Sequence, residues 1–403
     1  MSEEELAPIV ITAETGADSI WSRGFVMLCA SAFLMSVAFY FIIATLPIYI
    51  SDVLRAGNTA AGSILAAYTL AALVIRPFAG FWVDNRGRKL ILLSSYTVFA
   101  LLFAAYALAD TVAALVVIRV LHGIAWGLVG TAAGTIVVDL VPARRRGEAI
   151  GIYGLSFTMA MAIGPAIGLR LAEAAGFTTL FVTAAAIALA GLSIALAAPF
   201  PPYRRPEPPP RLAWRNLFEK TALPAAFTMM IVTVTYGGLL SFVAIHGRAI
   251  GVPHAGVFFV IYAAGIGVAR VTAGRVFDRR GPAIVIAGGM GLLMAGFPIL
   301  ALAQNAAGYY AAAAVLGTGM GVLMPTFSAM VNNMVPPERR GAANSTFGTM
   351  FDLGIGIGMA LTGAIADLLP LADAFLFSSV LGAAALVLFA GWTAGHYRRH
   401  ILQ

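Results

Sequence analysis

From residue 25 to residue 394 the chain repeats one pattern twelve times: a long apolar stretch, then a short loop carrying Arg, Pro, Asn or Gly. Roughly 20 apolar residues make a helix that crosses the hydrocarbon core of a bilayer, where every backbone N–H and C=O must be satisfied within the helix. The pattern predicts an all-α membrane protein with twelve transmembrane helices. They are expected over residues 25–50, 60–84, 90–108, 112–138, 148–169, 177–199, 222–246, 254–277, 283–303, 308–334, 342–367 and 372–394. Hydrophobic residues make up 60% of the 403 residues and charged residues 11%, more apolar matter than the cores of a water-soluble chain require.

Lys and Arg in short loops are retained on the cytoplasmic side of a membrane, so alternate loops should hold them. They do. Arg86, Arg88 and Lys89 follow span 2, Arg144, Arg145 and Arg146 follow span 4, and Arg204, Arg205, Arg211, Arg215 and Lys220 follow span 6. Arg279 and Arg280 follow span 8, Arg339 and Arg340 follow span 10, and Arg398 and Arg399 close the chain. Both termini are therefore expected in the cytoplasm, and the net charge of +7 reads as a topology signal, with nothing else to support a nucleic-acid partner. Residues 1–22 are polar and acidic and lack the order of a signal peptide. The prolines and charges of 200–220 cannot continue a helix in lipid, so this stretch is expected to be a cytoplasmic linker. It divides a six-helix bundle at 23–199 from another at 221–395, with a cytoplasmic tail at 396–403. Cys29 is the single cysteine, so no intrachain disulfide forms.

The two halves read as a duplication at an offset of 194 residues. RPFAGFWVDNRGRK at 76–89 lies over RVTAGRVFDRRGPA at 270–283, placing Arg76, Gly80, Asp84 and Gly87 on Arg270, Gly274, Asp278 and Gly281. Gly123 and Gly127 fall on Gly317 and Gly321, and VPARRRGEAIGIYG at 141–154 falls on VPPERRGAANSTFG at 335–348 without a gap. Two pseudo-symmetric six-helix bundles, related by an axis along the membrane normal, are the expected architecture.

These motifs resemble those of the major facilitator superfamily. Gly80, Asp84, Gly87, Arg88 and Lys89 match the signature GxxxD(R/K)xG(R/K)(R/K) after span 2, with Asn85 departing from it and Arg86 one place later. The second copy keeps Gly274, Asp278, Arg279 and Gly281, while Pro282 and Ala283 replace the closing basic pair. RVLHGIAWG at 119–127 resembles the arginine motif associated with proton transfer, with His122 where glutamine is more usual. Gly151, Gly164, Pro165 and Gly168 resemble the motif of antiporters, with Ala160 and Leu169 in place of two glycines. The resemblance implies a secondary transporter similar to the twelve-span drug:proton antiporters, working as a monomer in a cell membrane, expected to be a bacterial inner membrane.

Arg76, Gly80 and Asp84 are spaced i, i+4, i+8 and share one helix face, where the glycine admits a close neighbour. The resemblance places span 2 against span 11 and span 8 against span 5. Span 11 carries Asp352, so Arg76 is expected to pair with Asp352 when the cytoplasmic side is closed. Asp352 maps onto Thr158, leaving Arg270 with Thr158, Ser156 or backbone carbonyls. Asp84 and Asp278 are expected at the positive N-terminal ends of spans 11 and 5. Together with Arg86, Arg88 and Arg279 these residues form a conformational latch, which biases an equilibrium between two states.

Arg119, His122, Gly123, Trp126 and Gly130 lie on one face of span 4, which in this fold looks into the central cavity. An unperturbed histidine titrates near neutrality, so His122 could carry a proton, or it is a hydrogen-bonded packing residue. Antiporters of this kind often carry an acid in span 1; residues 24–50 have none. Asp352, Asp139 and Glu148 remain as proton-coupling candidates beside Arg119 and His122, with Asp139 and Glu148 also readable as ion-pair partners of Arg144 to Arg146. The inward faces of spans 1, 4, 7 and 10 offer Tyr40, Arg119, Trp126, Tyr236, Met320 and Met324, with Asn332 and Asn333 farther towards the cytoplasm. Such a lining suits a lipophilic or amphipathic solute better than a sugar. No Walker lysine loop, HExxH or GxSxG occurs, so no enzyme activity, nucleotide or other cofactor is expected, and no metal set has convincing spacing. The reading is export of a small molecule in exchange for protons. Its alternatives are export of a specific endogenous metabolite (siderophore-like chelator, sugar or lipid), uncoupled facilitated diffusion, and a receptor or scaffold that moves nothing.

Overall fold

The computed structural model describes residues 19–142, 145–200, 218–336 and 339–401, with the side chains of 147, 271–275, 277–279 and 401 left aside. Residues 1–18, most of the expected linker, Arg144, and the side chains of Gly274, Asp278 and Arg279 therefore lie outside the description. The described residues are helical, without a strand.

The first half contains α1 (Arg23–Asp52), α2 (Asn58–Arg86), α3 (Arg88–Ala105), α4 (Val112–Asp139) and α5 (Arg146–Ala197). The second contains α6 (Leu223–Ala249), α7 (Val257–Arg280), α8 (Pro282–Ala301), α9 (Ala306–Asn333), α10 (Arg340–Leu368), α11 (Leu371–Leu388) and α12 (Ala394–Ile401). Among the described residues, ten helical segments are long and apolar enough to cross a membrane. The count differs from twelve for two reasons. α5 runs 52 residues through the loop expected at 170–176, and α7 contributes a shorter apolar segment, Val257–Arg270. A straight helix of that length would extend about 78 Å, more than twice a hydrocarbon core. Gly176, at φ 79° and ψ 169°, turns the chain back in a conformation that L side chains rarely adopt, and splits α5 into arms 146–175 and 177–197. The expected tail at 396–403 is also helical as far as Ile401, joined to α11 by a π-turn over Phe389–Thr393.

The offset seen in the sequence recurs in local structure. Thr111 caps α4 by accepting the Ala114 N–H at 3.2 Å, and Asn305, 194 residues on, caps α9 by accepting that of Gly308 at 3.0 Å. Gly87 and Gly281, with φ of 99° and 76°, make the equivalent turns between α2 and α3 and between α7 and α8. Any side chain at Gly123 would collide with the Tyr68 carbonyl, and at Gly317 with the Tyr262 carbonyl, so α4 rests on α2 as α9 rests on α7.

Packing follows the same repeat. α1 packs on α5, α2 on α4, and α3 on α4 and α5; α6 packs on α10, α7 on α9, and α8 on α9 and α11. Across the halves α2 meets α10, α5 meets α7, and α1 meets α6. At the end away from the arginine-rich loops these contacts are close and again paired by the offset. Gly62 sits against the backbone of Met359 and Ala360, and a Cβ on Gly256 would lie 2.7 Å from Cα of Ala166. Residues 62 and 360 map onto 256 and 166. Asp367 accepts the backbone N–H groups of Asn58 and Thr59 at 2.7 and 2.9 Å, and Arg248 reaches Asp52 at 3.5 Å and Glu173 at 3.8 Å.

The arginine-rich end differs. Gly80 lies one turn beyond Arg76 on the face that Arg76 turns to α10, yet no described residue comes within 4 Å of its Cβ position, and the same holds for Gly151 at the start of α5. α2 and α10 have diverged there.

Candidate functional site

Where the halves meet, they enclose a cavity of about 350 Å³ whose wall draws on α1, α2, α4, α5, α6, α7, α9 and α10. Tyr40, Arg119, Trp126, Tyr236, Met320 and Met324 line it, as the inward faces of the sequence suggested. Asn332 and Asn333 do not. The Asn332 amide exchanges hydrogen bonds with Asn344 at 3.0 and 3.1 Å, tying α9 to α10, and Asn333 is the exposed last residue of α9. Tyr68, Phe157 and Phe351 also line the wall, because the faces of α2, α5 and α10 contribute beside those of spans 1, 4, 7 and 10, and Phe39 of α1 joins its neighbour Tyr40 there. Extending the spacing Arg76, Gly80, Asp84 backward by two turns would have found Tyr68.

Arg76 and Asp352 form an ion pair at the cavity wall, joining α2 to α10. Their side chains are 36% and 17% exposed, so water screens the pair only in part. The pair was expected with the arginine-rich end closed; it is present here while no described residue comes within 4 Å of the Cβ position of Gly80, one turn on. Gly80 likewise does not serve a close approach here.

Arg270, the repeat of Arg76, lines the same cavity and has no ion-pair partner among the described residues. Of the hydroxyls expected to face it, Ser156 donates to the Cys29 carbonyl at 3.2 Å and Thr158 to the Gly154 carbonyl at 3.3 Å, which leaves the oxygen of each able to accept.

Arg119 is buried, with its guanidinium carbon 4.3 Å from the centroid of the Tyr68 ring, a cation–π arrangement. Its Nη1 reaches the Tyr106 hydroxyl at 3.5 Å. One turn on, His122 does not face the cavity. It is fully buried, its Nδ1 lies 3.0 Å from the Tyr106 hydroxyl, and the rings of Phe99 and Phe103 flank it at 4.2 and 4.6 Å. α3 covers this part of α4, so of the expected face only Arg119 and Trp126 reach the cavity. Trp126 stacks on Phe39 with centroids 5.1 Å apart. Gly123 carries the α2 contact, and Gly130 has open space at its Cβ position.

The other carboxylates named as proton-coupling or latch candidates that can be described, Asp139, Glu148 and Asp84, are at the arginine-rich end, outside the cavity wall. Asp139 pairs with Arg88 from the start of α3; Arg144, one of its expected partners, lies outside the described residues. Glu148 is gripped by Arg145 through two hydrogen bonds of 2.8 and 2.9 Å. Asp84 is half-buried on α2 with Arg88 within electrostatic reach, and Arg86 is exposed at the helix end. Gly164 and Gly168 pack α5 against Tyr40 and Phe41 of α1, inside the first half and not between the halves. Pro165 leaves α5 uninterrupted; the non-helical residue in it is Gly176. Among the described residues no group of His, Cys, Asp and Glu could hold a metal ion.

Comparison with known proteins places this architecture. The sequence model of the Major Facilitator Superfamily matches the chain twice, over residues 28–253 and 223–401. An uncharacterised MFS-type transporter of Burkholderia pseudomallei (strain 1106a) is 26% identical over 355 residues, covering 86% of each chain. The staphylopine export protein of Staphylococcus aureus (strain Mu50 / ATCC 700699) is 24% identical over 348 residues, covering 81% of this chain and 86% of its own. Among solved structures, the nucleoside transporter NupG superposes with a TM-score of 0.74 at 17% identity, covering 91% of this chain and 99% of its own. A bacterial homologue of the human lysosomal transporter Spinster, inward-facing and occupied, gives 0.71 at 16% identity, covering 96% and 98%. The chain belongs to the Major Facilitator Superfamily: it is a multi-pass membrane transporter and not an enzyme.

Proposed function

We propose that this protein exports a lipophilic or amphipathic small molecule by alternating access, in exchange for protons. One observation carries the reading: a cavity shared by both halves is closed at one end by repeat-related glycine contacts, while at the other end the helices have parted around Gly80. In this reading the two arms of α5 and the whole of α7 each span the bilayer, giving twelve spans in two six-helix bundles. The arginine-rich loops and both termini lie in the cytoplasm, and the conformation is the one open to the inside of a bacterial inner membrane. The protein works as a monomer.

Asp352 is the residue proposed to take the proton, being the single carboxylate among the described cavity-lining residues. Protonation would release Arg76 and loosen α2 from α10, so that proton and substrate bias the same two-state element. Asp139 and Glu148, paired outside the cavity, are ion-pair anchors in this scheme. The test is uptake of a fluorescent amphipathic dye into inverted vesicles under an imposed pH gradient. Gradient-dependent uptake that Asp352→Asn abolishes supports the proposal. Uptake that persists without a gradient points to facilitated diffusion, and no flux of any solute points to a receptor.

A second reading, export of a specific endogenous metabolite, is favoured by the 24% identity to a staphylopine export protein. Competition for dye uptake by a concentrated extract of the host's own small molecules distinguishes the two.

A further inference from the structure

The cavity wall carries three arginines, Arg76, Arg119 and Arg270, and one aspartate, Asp352, a net of two positive charges in an otherwise apolar and aromatic lining. Arg76 and Asp352 neutralise each other. Arg119 is neutralised by nothing among the described residues. It is 1% exposed, and a buried guanidinium without a counter-ion costs free energy that a partner would recover.

The pattern of its unused donors says which partner fits. Nη1 is directed to Tyr106, whereas Nε and Nη2 are both buried without an acceptor. Those two nitrogens form one edge of the guanidinium plane, with parallel N–H bonds at the spacing of two carboxylate oxygens. This chain uses the same edge elsewhere: Nε and Nη2 of Arg145 hold the two oxygens of Glu148. A third orphan lies on the same wall. The Tyr68 hydroxyl is buried without a partner, and the Tyr68 ring is the one stacked on Arg119. A carboxylate that reached this edge would satisfy both of its donors, and its remaining lone pairs could accept from the Tyr68 hydroxyl.

We infer that the cavity is a site for an amphipathic organic acid, whose carboxylate is held by the Nε/Nη2 edge of Arg119 and the Tyr68 hydroxyl and whose apolar body lies among Phe39, Trp126 and Tyr236. This deepens the transport reading and rests on it for the cavity being the substrate site. Arg119 has no repeat: position 313, 194 residues on, is alanine. The acid therefore binds to the first half, and the second half supplies Arg270 as a second positive charge without a fixed anion. A cation of the same shape is disfavoured, since it would meet two unneutralised arginines.

The test uses the full-length purified protein in detergent and two probes of nearly equal size, 1-naphthaleneacetate and its neutral counterpart 1-naphthaleneacetamide, measured by equilibrium dialysis. The expected result is saturable binding of the acid about tenfold or more tighter than the amide, as charge-assisted bidentate hydrogen bonds give. Arg119→Gln should abolish the difference, and Arg119→Lys, which keeps the charge and loses the paired edge, should fall between. Tyr68→Phe keeps the ring on Arg119 and should weaken the acid alone, by about threefold to tenfold. Equal affinity of acid and amide in the wild type, discrimination that survives Arg119→Gln, or no saturable binding of either probe into the millimolar range would overturn the inference. The two failures are separable. Acid binding through Arg119 without gradient-driven flux removes transport and leaves the anion site; flux of neutral dyes with no preference for acids removes the anion site and leaves transport.

Discussion

The carboxylate of Asp367, at the last turn of α10, accepts the backbone N–H of Asn58 at 2.7 Å and so caps the first turn of α2 from the opposite half of the molecule. A helix N-terminus leaves its first N–H groups without intrahelical partners and carries partial positive charge. Here those groups are satisfied only while the halves are together at this end. Asp367→Ala should remove about 1 kcal/mol from the closed arrangement, the typical worth of such a cap. The expected outcome is faster maleimide labelling of a cysteine placed at Thr59, in a background lacking Cys29. An unchanged labelling rate would show that the contact does not hold this end shut.

Gly62 in α2 and Gly256 just before α7 are predicted to be intolerant of bulk. Their Cβ positions point into the backbone of the facing helix, which cannot move aside as a side chain can. Gly256→Leu should keep the far end from closing, abolishing dye uptake in inverted vesicles while membrane insertion stays normal. Gly80→Leu is the internal comparison, because nothing lies near its Cβ in the state described. If Gly256→Leu transports normally, the α5–α7 contact is not part of the seal.

Asp352→Asn leaves Arg76 without its counter-ion. Both side chains are partly exposed, so the loss should be roughly 1–3 kcal/mol, below that of a fully buried pair. The melting temperature in detergent should fall, and transport should fall with it. Exchange of the charges, Arg76→Asp with Asp352→Arg, should recover part of both; a double variant no better than the worse single one would argue against direct pairing.

Glu219, just before α6, pairs with Arg339 at 2.8 Å and accepts the Thr221 N–H at 3.2 Å. Burial opposes its charge, but hydrogen bonds from Thr221 and Arg339 outweigh it and hold the carboxyl below its usual value of 4.5. A carboxyl whose value is lowered on folding stabilises the fold above pH 4.5, and that contribution disappears as pH falls through the lowered value. The melting temperature of the wild type should therefore drop more steeply than that of Glu219→Gln on acidification below pH 4.5. Parallel curves would contradict the clip.

The sequence alone determined the solvent, the secondary structure and the repeat. Apolar stretches of spanning length leave a chain no choice but helix in lipid, and a 194-residue register of glycines and arginines survives in caps, turns and helix contacts because those are local requirements of the backbone. Arg76 and Asp352 were also legible, since charges are rare inside spans and few partners compete. What only the tertiary structure decided is which side chains share a space. His122 and Arg119 sit one turn apart on one helix face, yet α3 covers the first and the cavity reaches the second, and no periodicity encodes where a neighbouring helix ends its contact. Between spans 5 and 6 the break falls at Gly176, at the end of the loop expected over 170–176, because helical hydrogen bonding continues up to that glycine, whose uncommon backbone conformation turns the chain. The unfilled edge of Arg119 was invisible for the same reason as the open space at Gly80: absence of a neighbour is a property of the packed molecule, set by the sum of contacts elsewhere, and leaves no mark at the residue itself.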